Sequence, residues 1–148
     1  MERLLISACL LGINCKYSGG NNALPEKTLD ALWGRYCLIP VCPECAGGLP
    51  VPRVPAERRG TKVMTRDGRD VTAAYEAGAQ TALRLARGFG CRAALLKERS
   101  PSCGSGEIYD GSFSGTLIPG EGVAAGLLRE NGIAVFGESR VQELLSMA

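Results

Sequence analysis

Short apolar runs of β-type residues alternate along the chain with segments of helical periodicity. The apolar runs predict four strands, at residues 3–8, 37–41, 92–97 and 133–136. The helical periodicity predicts helices near residues 25–34, 72–88, 122–131 and 138–147, with Asp70 or Thr72 placed to cap the second of them. Because parallel strands need long crossover connections, this alternation predicts a mostly parallel sheet. We therefore expect a small doubly wound, Rossmann-like α/β domain with helices on both faces.

Two long segments show neither periodicity. Residues 42–60 contain four prolines, and residues 98–120 are rich in Gly and Ser, so both are predicted to be irregular loops. A loop as long as 42–60 in a compact domain is usually functional. Residues 62–71 contain an Asp67-Gly68 pair flanked by valines, which indicates a small hairpin. No repeat or linker divides the chain, so residues 1–148 are expected to form a single domain.

The composition is typical of a soluble globular protein, since 45% of the 148 residues are hydrophobic and 22% are charged. No segment approaches the roughly 20 apolar residues of a membrane span, and the opening apolar run lacks the form of a signal peptide. We therefore expect a cytoplasmic protein with no membrane partner. The net charge of +2 gives no reason to expect a stable nucleic-acid complex. The local basic cluster is interpreted as a solvated loop, with an anion site as the alternative; it comprises Arg53, Arg58, Arg59 and Lys62.

The chain has seven cysteines and no histidine. In a reducing compartment, cysteines at loop positions indicate metal ligation or catalysis more than disulfides. The lack of histidine excludes Cys-His and Ser-His-Asp catalytic arrangements as well as mixed Cys/His zinc sites. A proton carrier that works near neutral pH must then be a carboxylate, a lysine, a tyrosine, a cysteine or water.

Three of the cysteines follow the predicted strands. Cys9 comes after the first strand, Cys42 after the second, and Cys103 six residues after the third. Ligands of parallel sheets bind outside the carboxyl ends of the strands, so these thiols are expected to converge there. Cys37 and Cys91 lie toward the opposite edge and are expected to be small buried residues.

Cys15 and Cys45 fit neither group. Cys15 is interpreted as a packing residue, with a spare ligand as the alternative, and Cys45 has the reach to approach the thiol site from its glycine-flanked loop. A redox pair of Cys42 and Cys45 is disfavoured, because the Gly-Gly-Leu-Pro after Ala46 starts a helix poorly and low-pKa thiol pairs lie at helix N-termini.

Three thiolates suit a soft metal centre with one open coordination position. A closed structural zinc site needs four ligands, commonly from two Cys-x-x-Cys pairs, and this chain has one such pair. On a 4Fe–4S cluster the open position is an iron without a protein ligand, which can act as a Lewis acid. The spacing alone leaves zinc and iron–sulfur equally open.

Several motifs occur in one order along almost the whole chain, among them "SACLLGINCKYSGGNN", "CPECAGGLPVPRVPAE", "DGRDVT", "LLKERSPSCG" and "YDGSFSG". In these motifs the sequence resembles the TudS-like thiouracil desulfurase family, formerly classed as a domain of unknown function. The resemblance implies a 4Fe–4S cluster bound by Cys9, Cys42 and Cys103. It also implies non-redox removal of sulfur from 4-thiouracil or 4-thiouridine monophosphate, which yields uracil or UMP and sulfide. One departure is Cys45, where the family usually has an apolar residue.

The resemblance also implies two catalytic residues, Glu44 and Ser100, with Ser102 as the less favoured serine. Glu44 is expected to shuttle protons while water attacks the ring carbon; the alternative is a surface glutamate. Ser100 either contacts substrate or water, or only forms a turn before Pro101.

The remaining candidates are substrate-binding residues, Arg53, Lys97 and Ser102. Arg53 has the alternative of pairing with Glu57, and Lys97 of capping a strand end. Glycine-rich turns such as "GSGEIYDGSFSG" are further candidates to bind a phosphate through their backbone N–H groups. Two rival functions stay open at this point. One is a zinc- or cluster-bearing binding module without catalysis, and the other is a thiol-disulfide oxidoreductase that uses the Cys42/Cys45 pair.

Overall fold

A four-stranded parallel sheet forms the centre of the computed structural model, which describes residues 1–147. The strands of the protein are β1 (Glu2–Ser7), β2 (Tyr36–Val41), β3 (Ala56–Arg59), β4 (Lys62–Thr65), β5 (Ala93–Leu96), β6 (Glu107–Tyr109), β7 (Leu117–Pro119) and β8 (Ala134–Gly137). The α-helices are α1 (Glu26–Arg35), α2 (Pro43–Ala46), α3 (Thr72–Phe89), α4 (Val123–Glu130) and α5 (Val141–Ser146). Two 3-10 helices, Ala8–Leu11 and Glu138–Arg140, complete the set.

The central sheet has the strand order β2-β1-β5-β8, and its neighbouring strands are all parallel. These are the four strands that the apolar runs predict, so the doubly wound α/β class is confirmed. The chain leaves β1 toward β2 on one side and leaves β5 toward β8 on the other. The gap between the carboxyl ends of β1 and β5 is therefore the topological switch point, where ligands of such sheets bind.

Alternating side chains of β1 divide the core into two layers. Leu4 and Ile6 pack on one face of the sheet with Leu32 of α1 and Leu144 of α5. Leu5 packs on the other face with residues of α3 and α4, including Ala82, Ala86 and Leu128. All of these side chains are buried, and full burial of one leucine or isoleucine stabilises a fold by about 1.5–3 kcal/mol. No helix in residues 1–147 is long and apolar enough to cross a membrane.

The two segments predicted to be irregular loops contain additional structure. Strands β3 and β4 form an antiparallel pair, and so do β6 and β7. The prediction missed β3, β6, β7 and the four-residue helix α2, because three or four residues are too few for a period to be recognised; β4 lies in the predicted hairpin 62–71. The hairpin predicted around Asp67-Gly68 is confirmed, since Thr65 N–H donates to Arg69 C=O at 2.8 Å and Val71 N–H donates to Val63 C=O at 2.9 Å.

Helix α2 is fixed against α3 through two glycines. A Cβ atom built on Gly78 of α3 would lie 1.8 Å from the Pro43 carbonyl oxygen, and one on Gly47 would lie 1.9 Å from the Ala74 carbonyl oxygen. Both distances are far inside van der Waals contact, so only glycine permits this backbone approach. The contact determines where the residues around Cys42 lie relative to the sheet.

Candidate active site

The three thiols that follow strands β1, β2 and β5 line one cavity of about 500 Å³. Cys9 lies in the 3-10 helix that follows β1, Cys42 directly follows β2, and Cys103 lies in the loop after β5. The cavity opens at the carboxyl edge of the sheet, where the topology predicts a ligand. All the other candidate site residues line it too, namely Glu44, Arg53, Lys97, Ser100 and Ser102.

Burial controls the charge state of two of these thiols, Cys103 and Cys9. It raises the pKa of Cys103 to about 12, although hydrogen bonds with Ser7 and Ser102 act in the opposite direction. Burial also raises the pKa of Cys9, and a hydrogen bond with Asn22 opposes that shift. Buried thiols of this kind are neutral when alone, and a bound metal displaces the proton because its charge stabilises the thiolate.

The donor set of the cavity is compatible with an iron–sulfur cluster. Within residues 1–147, no three Cys, Asp or Glu side chains converge on one position that a metal ion would occupy. A mononuclear zinc site requires such convergence, with sulfurs about 2.3 Å from one centre. Cysteines that bind a 4Fe–4S cluster ligate separate irons, so they stand around a larger space. Three soft thiols around a common cavity fit the cluster.

Glu44 is held between two partners at the wall of the cavity. Its Oε1 accepts a hydrogen bond from Arg53 Nε at 3.0 Å, and its Oε2 accepts one from Ser102 Oγ at 2.8 Å. The Arg53 and Glu44 side chains are only 7% and 14% exposed, so the pair is nearly buried. Glu44 is therefore not a free surface glutamate, and its carboxylate has a fixed orientation.

Tyr75 is a further neighbour of Glu44 that the sequence analysis missed. It is a buried residue of α3 that lines the cavity. Burial raises its pKa, and the Glu44 carboxylate raises it further through its charge and a hydrogen bond. A possible signal in the sequence was the buried stripe of α3, on which Tyr75 is the one aromatic residue among small ones such as Ala79 and Ala82.

The two serines have different partners. Ser100 Oγ accepts hydrogen bonds from the backbone N–H groups of Ser102 and Cys103, each at 3.1 Å, so it shapes the turn that presents Cys103. Ser102 is buried and is the serine that contacts Glu44. The two hydroxyls lie 3.0 Å apart. Gly122 supports this turn, because a Cβ atom there would lie 2.5 Å from the Ser102 carbonyl carbon.

The two candidate cations are held by protein groups. The Arg53 guanidinium donates to Glu44 and to the carbonyls of Cys15 and Pro50, at 2.9 and 3.1 Å for the two carbonyls. The alternative that Arg53 pairs with Glu57 is therefore wrong. Lys97 Nζ lies 2.7 Å from the Glu138 carboxylate and donates to the Glu98 carbonyl at 3.3 Å, which agrees with the alternative of a strand-end role.

The other cysteines are free thiols with distinct surroundings. Cys15 is buried and lines the cavity; burial, and then the charge of Cys42, raises its pKa to about 12. The Cys45 thiol lies 3.9 Å from both the Cys15 carbonyl oxygen and Arg53 Nη1, so it is a neighbour of the site. Cys91 is buried as predicted. The burial expected for Cys37 is wrong, because it points outward from β2, an edge strand of the sheet.

Comparisons with known proteins agree with this site. The model of the 2-thiouracil desulfurase family matches residues 4–140. The solved structure of TudS, a [4Fe-4S]-dependent thiouracil desulfidase, is 50% identical and superimposes with a TM-score of 0.93, covering 97% of this chain and 95% of that one. The protein YbbK of Bacillus subtilis strain 168 is 41% identical, in an alignment that covers 96% of this chain and 99% of YbbK. The chain therefore belongs to the 2-thiouracil desulfurase family.

Proposed function

We propose that this protein is a 4Fe–4S-dependent desulfurase that hydrolyses thiolated pyrimidines, such as 4-thiouracil or 4-thiouridine monophosphate, to uracil or UMP and sulfide. The observation that carries the proposal is the cavity at the switch point, lined by three buried or half-buried thiols and by the Glu44–Ser102 pair. Family membership supports the same activity. The reaction replaces sulfur by the oxygen of water, so it needs no net transfer of electrons.

In this proposal Cys9, Cys42 and Cys103 hold the cluster. When bound, a cluster with three protein ligands supplies an iron with an open position, a Lewis acid suited to a soft thione sulfur. The protein provides the ligands from three separate strand ends, so the site forms only when the sheet is complete. We also propose that the whole chain acts as one domain in the cytoplasm, where thiols remain reduced.

Glu44 is proposed as the group that takes a proton from the attacking water. Its two oxygens are held by Arg53 and Ser102, which leaves further lone pairs on each oxygen for water. For the assisting hydroxyl we propose Ser102 in place of Ser100, because Ser102 contacts Glu44 and the Ser100 oxygen is occupied by two backbone N–H groups. Tyr75 completes the polar set around the carboxylate.

Arg53 is proposed as a positioning residue and not as a substrate contact. Its guanidinium binds Glu44 and two backbone carbonyls, and its side chain is 7% exposed. Lys97 is paired with Glu138, so it adds little free charge for a substrate. A substrate panel of base, nucleoside and nucleotide, with sulfide detection under anaerobic conditions, tests which molecule fits the cavity.

The cofactor is tested by anaerobic reconstitution with iron and sulfide, followed by absorption and electron paramagnetic resonance spectroscopy. The expected result is one 4Fe–4S cluster per chain and the release of sulfide from 4-thiouracil or its nucleotide. Stoichiometric zinc without iron or sulfide would contradict the proposal. Reconstituted protein that releases no sulfide from any thiolated pyrimidine would leave a cluster-bearing binding module as the better interpretation.

The role of Glu44 is tested with Glu44→Gln, which keeps the size of the side chain but removes its ability to take a proton. The variant is expected to bind the cluster with an unchanged spectrum and to lose sulfide release. Glu121→Gln serves as the matched control, because Glu121 lines a separate cavity and pairs with Arg129. Unchanged turnover in Glu44→Gln would remove Glu44 from the mechanism.

A further inference from the structure

A short loop at the mouth of the thiol cavity presents an aromatic ring. This Phe113 loop, residues 110–116, connects β6 to β7 and belongs to the segment that the sequence predicts to be irregular. Phe113 is half-buried and lines the cavity together with Tyr109 and Gly115. The proposed substrates are flat pyrimidine rings, which need a flat apolar surface for one face.

Two side chains of strand β3 bind the loop, Glu57 and Arg59. Glu57 Oε1 accepts hydrogen bonds from the backbone N–H groups of Gly111 at 3.0 Å and Phe113 at 3.1 Å. Arg59 Nε donates to the Gly111 carbonyl at 2.8 Å, and Asp110 accepts from the Ser112 N–H at 2.9 Å. The N–H groups of Gly111 and Phe113 are therefore bound within the protein, and they are not the phosphate cradle that the glycine-rich sequence indicates.

The backbone of the loop adopts a conformation that an aromatic residue rarely takes. Phe113 has φ of 57°, and the one other non-glycine residue with positive φ in residues 1–147 is Arg99, at 69°. Both residues line the thiol cavity. Left-handed backbone at bulky residues is unfavourable and concentrates at functional sites, where the surroundings enforce it. Here Glu57 provides that enforcement, because it binds the Phe113 N–H directly.

The ring of Phe113 is contacted by Arg66 of the neighbouring hairpin. The guanidinium carbon lies 5.6 Å from the centroid of the Phe113 ring, within the range of a cation–π contact. Arg66 also lines the cavity, so ring and guanidinium stand together at its mouth. A ring held in this way is ready to stack without a rearrangement on binding.

We propose that Phe113 is a substrate-contacting residue that stacks on the pyrimidine ring, and that Glu57 is the positioning residue that holds it there. The inference rests on the proposed function and adds a residue that determines specificity for flat rings. No covalent step is assigned to either residue.

The test compares Phe113→Leu with Phe113→Tyr in the cluster-loaded enzyme. Leucine keeps an apolar side chain but loses the π-surface, so KM for 4-thiouracil and the dissociation constant of uracil are expected to rise about tenfold, with kcat changed much less. Tyrosine keeps the ring and is expected to retain both values. Phe89→Leu is the matched control, because Phe89 is 42% exposed at the end of α3, outside the cavity, and its loss is expected to change neither value.

Glu57 is tested by a double-mutant cycle. Glu57→Ala removes the acceptor of the Gly111 and Phe113 N–H groups and is expected to raise KM as much as Phe113→Leu does. Glu57→Gln keeps an acceptor oxygen and is expected to have the wild-type KM. If Glu57 acts through Phe113, the Glu57→Ala/Phe113→Leu variant has the KM of either single variant. Fully additive effects would refute the positioning role.

Different results would refute the proposed function and the stacking role of Phe113. Wild-type enzyme that carries the cluster but releases no sulfide would refute the proposed function. Wild-type enzyme that does release sulfide, together with Phe113→Leu that keeps wild-type KM and wild-type uracil affinity, would refute the stacking role alone. A rise in KM equally large in Phe113→Tyr would also refute it, because that variant retains the ring.

Discussion

Replacement of Arg53 by methionine is expected to destabilise the protein strongly, because Arg53 is the buried cation of the site. Methionine fills part of the aliphatic volume of the arginine but leaves the Glu44 carboxylate without its charged partner. In the wild-type protein Arg53 Nε lies 3.0 Å from Glu44 Oε1. It also removes the donor to the carbonyls of Cys15 and Pro50. Breaking a buried ion pair from one side costs about 3–5 kcal/mol.

The size of this loss determines the assay. A domain of this size has a free energy of unfolding of about 5–15 kcal/mol, so the variant is expected to stay folded. With a urea m-value of about 2 kcal/mol/M, the unfolding midpoint should fall by about 1.5–2.5 M. The measurement uses cluster-free protein under reducing conditions, so that loss of the cluster does not contribute to the transition.

Three further variants test whether loss of the Arg53–Glu44 ion pair causes the lower unfolding midpoint. Arg53→Lys keeps the charge but not the planar set of donors, and we expect a loss of about 1–2 kcal/mol. In the Glu44→Gln background the partner of Arg53 is already a neutral amide. There Arg53→Met should lower the free energy of unfolding by at least about 1 kcal/mol less than it does in the wild-type protein. Arg129→Met is the surface control, since Arg129 is 57% exposed, and its midpoint should match the wild-type value. An Arg53→Met midpoint within about 0.5 M of wild type would refute the reasoning.

The remaining predictions concern the ligands, the α2–α3 contact and the serine. Cys103→Ser should lower bound iron and sulfide per chain by more than half in chemical analysis, whereas Cys91→Ser should leave both unchanged; equal content would contradict the ligand set. Gly78→Ala should destabilise by about 3 kcal/mol in urea unfolding, and Gly88→Ala, which meets nothing within 4 Å, should not destabilise at all. Ser102→Ala should lower kcat about tenfold in the sulfide assay with an unchanged cluster spectrum. A wild-type kcat would exclude Ser102 as the assisting hydroxyl.

The existence and extent of the central strands follow from properties that are local in the sequence, whereas their order β2-β1-β5-β8 is known from the structure. Apolar runs and helical periodicity identify β1, β2, β5 and β8, because each pattern depends only on residues within the same element. The placement of Cys9, Cys42 and Cys103 at one edge also follows, since the carboxyl ends of parallel strands must share an edge. The short strands β3, β6 and β7 could not be predicted, because three or four residues show no periodicity.

The partners within the site depend on the tertiary structure alone. Glu44 and Ser102 are 58 residues apart in the chain, yet they lie within a hydrogen bond of each other because α2 and the loop after β5 meet at the cavity. The resemblance implied Ser100, with Ser102 less favoured, and a motif specifies which residue types are present but not which hydroxyl contacts Glu44. The same limit applies to Arg53, whose sequence neighbours offered Glu57 as a partner.

The sequence by itself determined the fold class, the family and which three thiols converge at one edge of the sheet. It could do so because periodic patterns and motifs are encoded in neighbouring residues. Only the tertiary structure decided that Arg53 orients Glu44, that Ser102 contacts it, and that Glu57 holds the Phe113 loop. These contacts join side chains from separate loops, and their geometry is set by how whole elements pack. The close contact of Gly78 in α3 with Pro43 in α2 is one such packing constraint. It fixes the position of Glu44, although Gly78 and Glu44 are far apart in the sequence.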